Sequence, residues 1–111
     1  MLKKDGKAIV YCEKAYNTTN GKTAHGLVRR TRRYEVVSVV DSRYAGKDAG
    51  SVLDGKANQI PIVDSVRRAV AETGACRPTH LVVGLAPDGG RLPMGVKSEI
   101  RAAIEMGLNV D

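Results

Sequence analysis

The sequence contains no Trp and no Phe, and only four Tyr. A folded core must therefore be built from Val, Ile, Leu, Ala and Met. The shortage of aromatics argues against a stacking platform for single-stranded nucleic acid and favours buried β-branched strands. Cysteine and histidine are equally sparse: Cys12, Cys76, His25 and His80 are the whole set, with no CxxC or HxxxH spacing. No zinc or other metal site is expected from four such scattered residues. No stretch approaches the roughly 20 apolar residues of a membrane span. Four of the first seven residues are charged and no apolar leader follows them, so a secretory signal is not expected. The two distant cysteines then read as reduced thiols in a cytoplasmic protein. No internal repeat or low-complexity segment is visible.

What is present fits one domain. A chain of 111 residues can build one hydrophobic core but not two, and 42% hydrophobic residues is ordinary for a folded protein. The net charge of +6 is unevenly placed. Residues 1–50 hold 11 Lys/Arg against 5 Asp/Glu, a surplus of six, whereas residues 51–111 hold 7 of each. A local surplus of this kind attracts phosphate groups or forms a solvated basic face.

Apolar runs alternate with helical patterns. Residues 7–12 read as a first strand, 35–40 as a second, 60–63 as a third and 79–84 as a fourth. Helices are expected over 21–31, over 66–73 after the N-cap Ser65, and over 93–106 with Pro93 in the first turn and Gly107 at the end. Residues 41–59 read as a loop rich in Gly, Asp and Ser, and residues 108–111 begin a fifth strand. This alternation predicts an α/β fold, a Rossmann-like three-layer parallel sheet of order 3-2-1-4-5. Ligands of such sheets bind beyond the carboxyl ends of the strands, which here selects three loops.

The first loop carries Asn17, Thr18, Thr19, Asn20, Gly21, Lys22 and Thr23. It joins a strand to a helix, where backbone N–H groups and the helix dipole can face an anion. A Walker A motif would need glycine at position 16, which is Tyr16, and no GxGxxG is present. The loop therefore reads either as a generic anion site or as a capped helix start. Gly26 could serve close packing of helix on strand. The second loop begins at Asp41, 20 residues after Gly21, near the spacing at which an acidic group meets a ribose diol. Asp41 can equally cap the following turn. Arg43 and Lys47 could meet a phosphate, and Tyr44 between them could stack on a base. The third loop holds Gly84, Asp88, Gly89, Gly90 and Arg91, whose adjacent glycines can form either an anion nest or a tight connection. Arg29, Arg30, Arg32 and Arg33 suit a helix C-terminus, and Lys22, His25 and Arg29 form a stripe read as solvated. Cys12 lies near the mouth but has no assignable base, and no catalytic residue can be named.

Three runs resemble a known family: NTTNGKTAHGLVRR from Asn17, DSRYAGKDAG from Asp41 and GLAPDGGRLP from Gly84. They are similar to the N-terminal domain of the D-glutamate N-acetyltransferase-like family, long described only as a domain of unknown function. The resemblance implies a Rossmann-like domain followed by a P-loop domain, in an acyl-transfer context with acetyl-CoA or a nucleotide as ligand. The sequence stops at Asp111, so the P-loop domain is absent from it and the chain alone is not expected to be catalytic. The stretch from Ile60 to Val63, with Ser65, Val66 and Gly84, is similar to CoA-binding domains of acyl-CoA synthetases.

Two other functions compete. Asp41 favours an NAD(P)-binding oxidoreductase fragment, and the arginines at 29–33 favour a non-catalytic module for protein or nucleic acid. The lack of stacking aromatics counts against RNA and single-stranded DNA. The fifth strand has no successor, and an open edge of that kind predicts a homo-oligomer through residues 108–111 or the last helix.

Overall fold

Val and Ile crowd the strand segments because a parallel sheet covered on both faces offers water to neither side. The computed structural model describes residues 6–29, 33–74, 77–85 and 95–111. Its strands are β1 (Gly6–Tyr11), β2 (Tyr34–Val40), β3 (Ile62–Val63), β4 (His80–Val83) and β5 (Asn109–Val110). Their order is β3-β2-β1-β4-β5 and every pairing is parallel, which is the predicted Rossmann-like arrangement. The central strand is the most deeply placed: Ala8, Ile9 and Val10 are all fully buried.

The helices are α1 (Lys22–Arg29), α2 (Ala49–Asp54), α3 (Val66–Thr73) and α4 (Val96–Glu105). Right-handed crossovers place α1 and α2 on one face and α3 and α4 on the other. Ala24 and Val28 seat α1 in the core, and Val66 and Ala69 seat α3. Ser65 caps α3 as the sequence suggests, its hydroxyl accepting from the Arg68 N–H. The last helix begins at Val96 after Gly95, three residues later than expected, and Pro93 lies outside the described residues. Gly107 has φ of +86°, the left-handed conformation expected after a helix end.

The segment 41–59 departs from the loop expected there. It contains a 3-10 turn, Ser42–Tyr44, and the six-residue helix α2. Asp48 explains the helix. Its carboxylate accepts from the Ser51, Asn58 and Gln59 N–H groups, so one side chain caps α2 and folds the return loop onto it. A helix this short has too few apolar positions for a period to show. The third strand is also shorter than expected. Pro61 has no N–H to give to a ladder and instead forms an antiparallel bridge with Asp48. The outer edge of β3 is covered by the chain itself: Ile62 donates to Lys47 O at 2.9 Å and accepts from Gly46 N at 2.9 Å.

One irregularity breaks the centre of the sheet. Ala8 stands opposite Val36 but Ile9 stands opposite Ser38, so Val37 is an extra residue in β2. Ser38 is a hydroxyl among valines, 2% exposed, and its Oγ has no hydrogen-bond partner among the described residues. An arrangement of that kind costs about 1–3 kcal/mol.

Candidate functional site

The carboxyl ends of β1, β2 and β4 converge, and the residues beyond them are tied together by hydrogen bonds. Asp41, just past β2, is the centre of this network and is fully buried. Its Oδ1 accepts from Arg43 N at 3.1 Å and Arg43 Nε at 3.2 Å. Its Oδ2 accepts from Tyr16 N at 3.2 Å and from an Arg43 terminal nitrogen at 2.9 Å. A carboxylate has about four lone-pair positions, and all are taken. Burial alone would push this carboxyl up; the Arg43 side chain, the N–H groups of Arg43 and Tyr16 and the Arg43 charge outweigh it and hold it below the usual range. Asp41 thus acts through Arg43 and has no vacant acceptor for a ribose diol. That geometry weakens the argument for an NAD(P) fragment, which rested on Asp41.

Arg43 is held rather than loose. The same terminal nitrogen that meets Asp41 reaches Asn17 Oδ1 at 3.2 Å, and the guanidinium carbon stands 5.0 Å from the centre of the Tyr44 ring. Glu13 adds a second tie between the first two loops by accepting from Ser42 N at 2.6 Å. Beside this cluster lies a cavity of about 480 Å³ lined by Asn17, Tyr44, Lys47, Asp48, Ser51 and Val52. The structure therefore brings Asn17, Asp41, Arg43, Tyr44 and Lys47 to one place.

The start of α1 differs from a phosphate loop. The Ala24 N–H donates to Gly84 O at 3.1 Å, and His25 Nε2 contacts Tyr16 O. A Cβ on Gly21 would lie 2.3 Å from Ala15 O and 2.8 Å from Tyr16 O. Carbonyl groups of the chain crowd this end of the helix, so Gly21 serves approach to the chain's own loop. Thr18 turns inward as well, its hydroxyl donating to Ala15 O at 2.8 Å. Thr19, with Asn20, forms the 3-10 turn before α1, while the Lys22 and Thr23 side chains are exposed. Gly84 provides the close packing of helix on strand: a Cβ there would meet Val10 Cγ1 at 2.8 Å and Ala24 Cβ at 3.0 Å. Gly26 faces open space and does not. Asp88, Gly89, Gly90 and Arg91 lie outside the described residues.

On the basic stripe of α1, Lys22 and Arg29 are exposed as expected and His25 is half-buried. Arg29 makes a two-pronged pair with Asp54, its terminal nitrogen 2.7 Å from Oδ1. Arg33 pairs with Asp111 at 3.4 Å and stands over Tyr34. Arg30 and Arg32 lie outside the described residues. Cys12 is fully buried and its Sγ is 3.8 Å from Gly84 O. Burial, reinforced by the Asp41 charge, pushes its thiol up to about 12, so no nucleophile sits here at neutral pH. His80 lies against Tyr34, ring centres 5.2 Å apart, away from the mouth.

Comparison with known proteins places this arrangement. Residues 42–111 match the family described as "Domain of unknown function (DUF1611_N) Rossmann-like domain". The chain belongs to this family. A solved relative, a DUF1611 family protein from Anabaena variabilis, superimposes with a TM-score of 0.82 at 28% identity over 95% of the chain. The chain covers only 29% of that relative's length. No curated protein matches it. Among the described residues of this DUF1611_N domain no helix is long and apolar enough to cross a membrane, and no group of His, Cys, Asp and Glu is arranged to hold a metal.

Several residues of the site escape a reading by motif. Tyr16 fills the position a Walker glycine would take; it is buried and its hydroxyl donates to Ala49 O at 2.8 Å, joining the first loop to α2. Glu13, Asp48, Ser51 and Val52 also shape the mouth. Only Asp48 carries a local signal, as an Asp three residues before Ser51 at the start of a helical stretch.

Proposed function

We propose that this DUF1611_N domain binds a nucleotide- or CoA-type ligand, with acetyl-CoA the leading candidate, at the mouth between Asn17 and Lys47. In this reading it is the ligand-binding part of an acyltransferase-like protein of the D-amino-acid N-acetyltransferase type. The transfer step itself would lie with a second domain, of the P-loop kind.

The observation that supports the reading most is Arg43, fixed by a buried carboxylate and by Asn17, which with Tyr44 and Lys47 lines an open cleft of about 480 Å³. Cavities of roughly 300–1,000 Å³ suit small-molecule ligands. The residues around it fit the chemical parts of such a ligand. Arg43 and Lys47 meet phosphate. Tyr44 and Val52 supply an aromatic and an apolar wall, and Asn17 and Ser51 supply polar groups. Holding Arg43 in advance lowers the entropy lost when an anion binds.

Calorimetric titration of CoA and of NAD into the chain, at low and raised salt, tests the proposal. CoA carries more negative charge and should bind more tightly than NAD, with its affinity falling as salt is added. NAD binding equal to or stronger than CoA, lost on Asp41→Ala, would instead support the oxidoreductase reading.

A further inference from the structure

A second cavity, of about 250 Å³, lies away from the mouth between β2 and α3. Its strand wall is Val36, Val37 and Ser38, and its helix wall is Ala69, Glu72 and Thr73. It exists because β3 pairs with β2 only at Val39 and Val40, leaving the first half of β2 with no partner strand on that side among the described residues. Ser38 is its most unusual feature: the hydroxyl is buried without a partner, at the point where the Val37 bulge interrupts the ladder. A hydroxyl kept in a valine strand and left unpaired points to a partner that the fold itself does not supply.

The chemistry of the wall is one-sided. Thr73 Oγ1 donates to Val70 O at 2.8 Å, so its hydrogen is committed and only lone pairs remain. Glu35 and Glu72, both exposed at the rim, present carboxylate oxygens as acceptors. Each is in a long ion pair on the surface: Lys7 Nζ is 4.0 Å from Glu35 and Arg68 Nε is 3.9 Å from Glu72. Gln59, also at the rim, has φ of +64° and is held by its N–H bond to Asp48. Apart from the Ser38 hydroxyl and the Gln59 amide, which can give as well as take, the polar side chains of the wall are acceptors, around a floor of valine and alanine. A guest that fits must bring donors, carry no negative charge and have a small branched apolar body.

We infer that the cavity between β2 and α3 is a binding site for a small aliphatic amine in its ammonium form, with Ser38, Thr73 and Glu72 as acceptors and Val36 and Ala69 as the apolar seat. The site is independent of ligand binding at the mouth.

The test is a nitrogen-15 NMR titration of the 111-residue chain with isobutylammonium chloride, against isobutanol and sodium isobutyrate at constant ionic strength. Saturable shifts of the Val37, Ser38, Ala69 and Thr73 amides are expected for the ammonium probe, with an affinity at least about tenfold above that of isobutyrate. Ala69→Leu, which fills the cavity, should abolish the shifts while the spectrum stays dispersed. Glu72→Gln, a surface change that leaves the fold alone, should weaken the ammonium probe about threefold and leave isobutanol unchanged. Equal binding of isobutyrate, saturable shifts elsewhere, no saturation at all, or full affinity in Glu72→Gln would overturn the assignment.

Discussion

Removal of Asp41 tests the architecture of the mouth most severely. Asp41→Ala leaves the buried Tyr16 N–H without its acceptor, 3.2 Å away in the native chain. An orphaned buried donor costs about 1–3 kcal/mol. The pair with Arg43 adds less, because the arginine side chain is 38% exposed and water screens it; about 0–1 kcal/mol is appropriate. The sum, roughly 1–4 kcal/mol, is offset only in part by the relief of no longer burying a charge. For a chain of this size about 1 kcal/mol moves the midpoint by roughly 4–8 °C, so a fall of roughly 5–20 °C is expected in a thermal melt. Arg43→Ala should destabilise on its own, by leaving the Asp41 carboxylate buried without its cation. The double variant should then be no less stable than Asp41→Ala, a non-additivity of the kind coupled neighbours show. An Asp41→Ala midpoint within about 2 °C of the wild type would refute the reasoning.

Acid should reveal the same group. The folded carboxyl of Asp41 lies below its unfolded value, so its contribution is complete above roughly pH 4 and is lost as pH falls through the lowered value; a wild-type chain whose stability drops no more steeply below pH 4 than the Asp41→Ala chain would contradict this. Gly84→Ala puts a methyl 2.8 Å from Val10 Cγ1 and 3.0 Å from Ala24 Cβ, and overpacking of that kind costs about 1–3 kcal/mol in a urea melt. Gly26→Ala, in open space on an exposed helical face, should instead be neutral or stabilising by up to about 1 kcal/mol. Cys12, with its thiol pushed up to about 12, should resist iodoacetamide at pH 8 in the native chain and react once urea unfolds it, as read by peptide mass mapping.

The parallel sheet and its order are legible in the sequence because the strands are unbroken apolar runs separated by helical spacings. Ser65 and Gly107 mark helix ends by local chemistry alone, and both behave as their residue types dictate. The helix Ala49–Asp54 is not legible, because six residues show no period and its cap, Asp48, works through a return loop ten residues on. The gathering of Asn17, Asp41, Arg43, Tyr44 and Lys47 follows from fold logic, since parallel strands bring their carboxyl ends together. Their division of labour does not follow. Spacing suits Asp41 to a ribose, whereas the structure fills its lone pairs with Arg43 and Tyr16, a choice made by burial and contact across 25 residues. The same limit applies to Gly84, whose neighbours Val10 and Ala24 come from distant segments. Ser38 gives no signal at all until the bulge beside it is seen.

The central claim is that the ligand sits beside Arg43. The most direct measurement is the map of amide shifts produced by CoA in the nitrogen-15 spectrum of the chain. Saturable shifts centred on Asn17, Arg43, Tyr44, Lys47 and Ser51 are expected, with an apparent affinity reduced at least about tenfold by Arg43→Ala. Shifts centred elsewhere, or a map and affinity unchanged by Arg43→Ala, would contradict it.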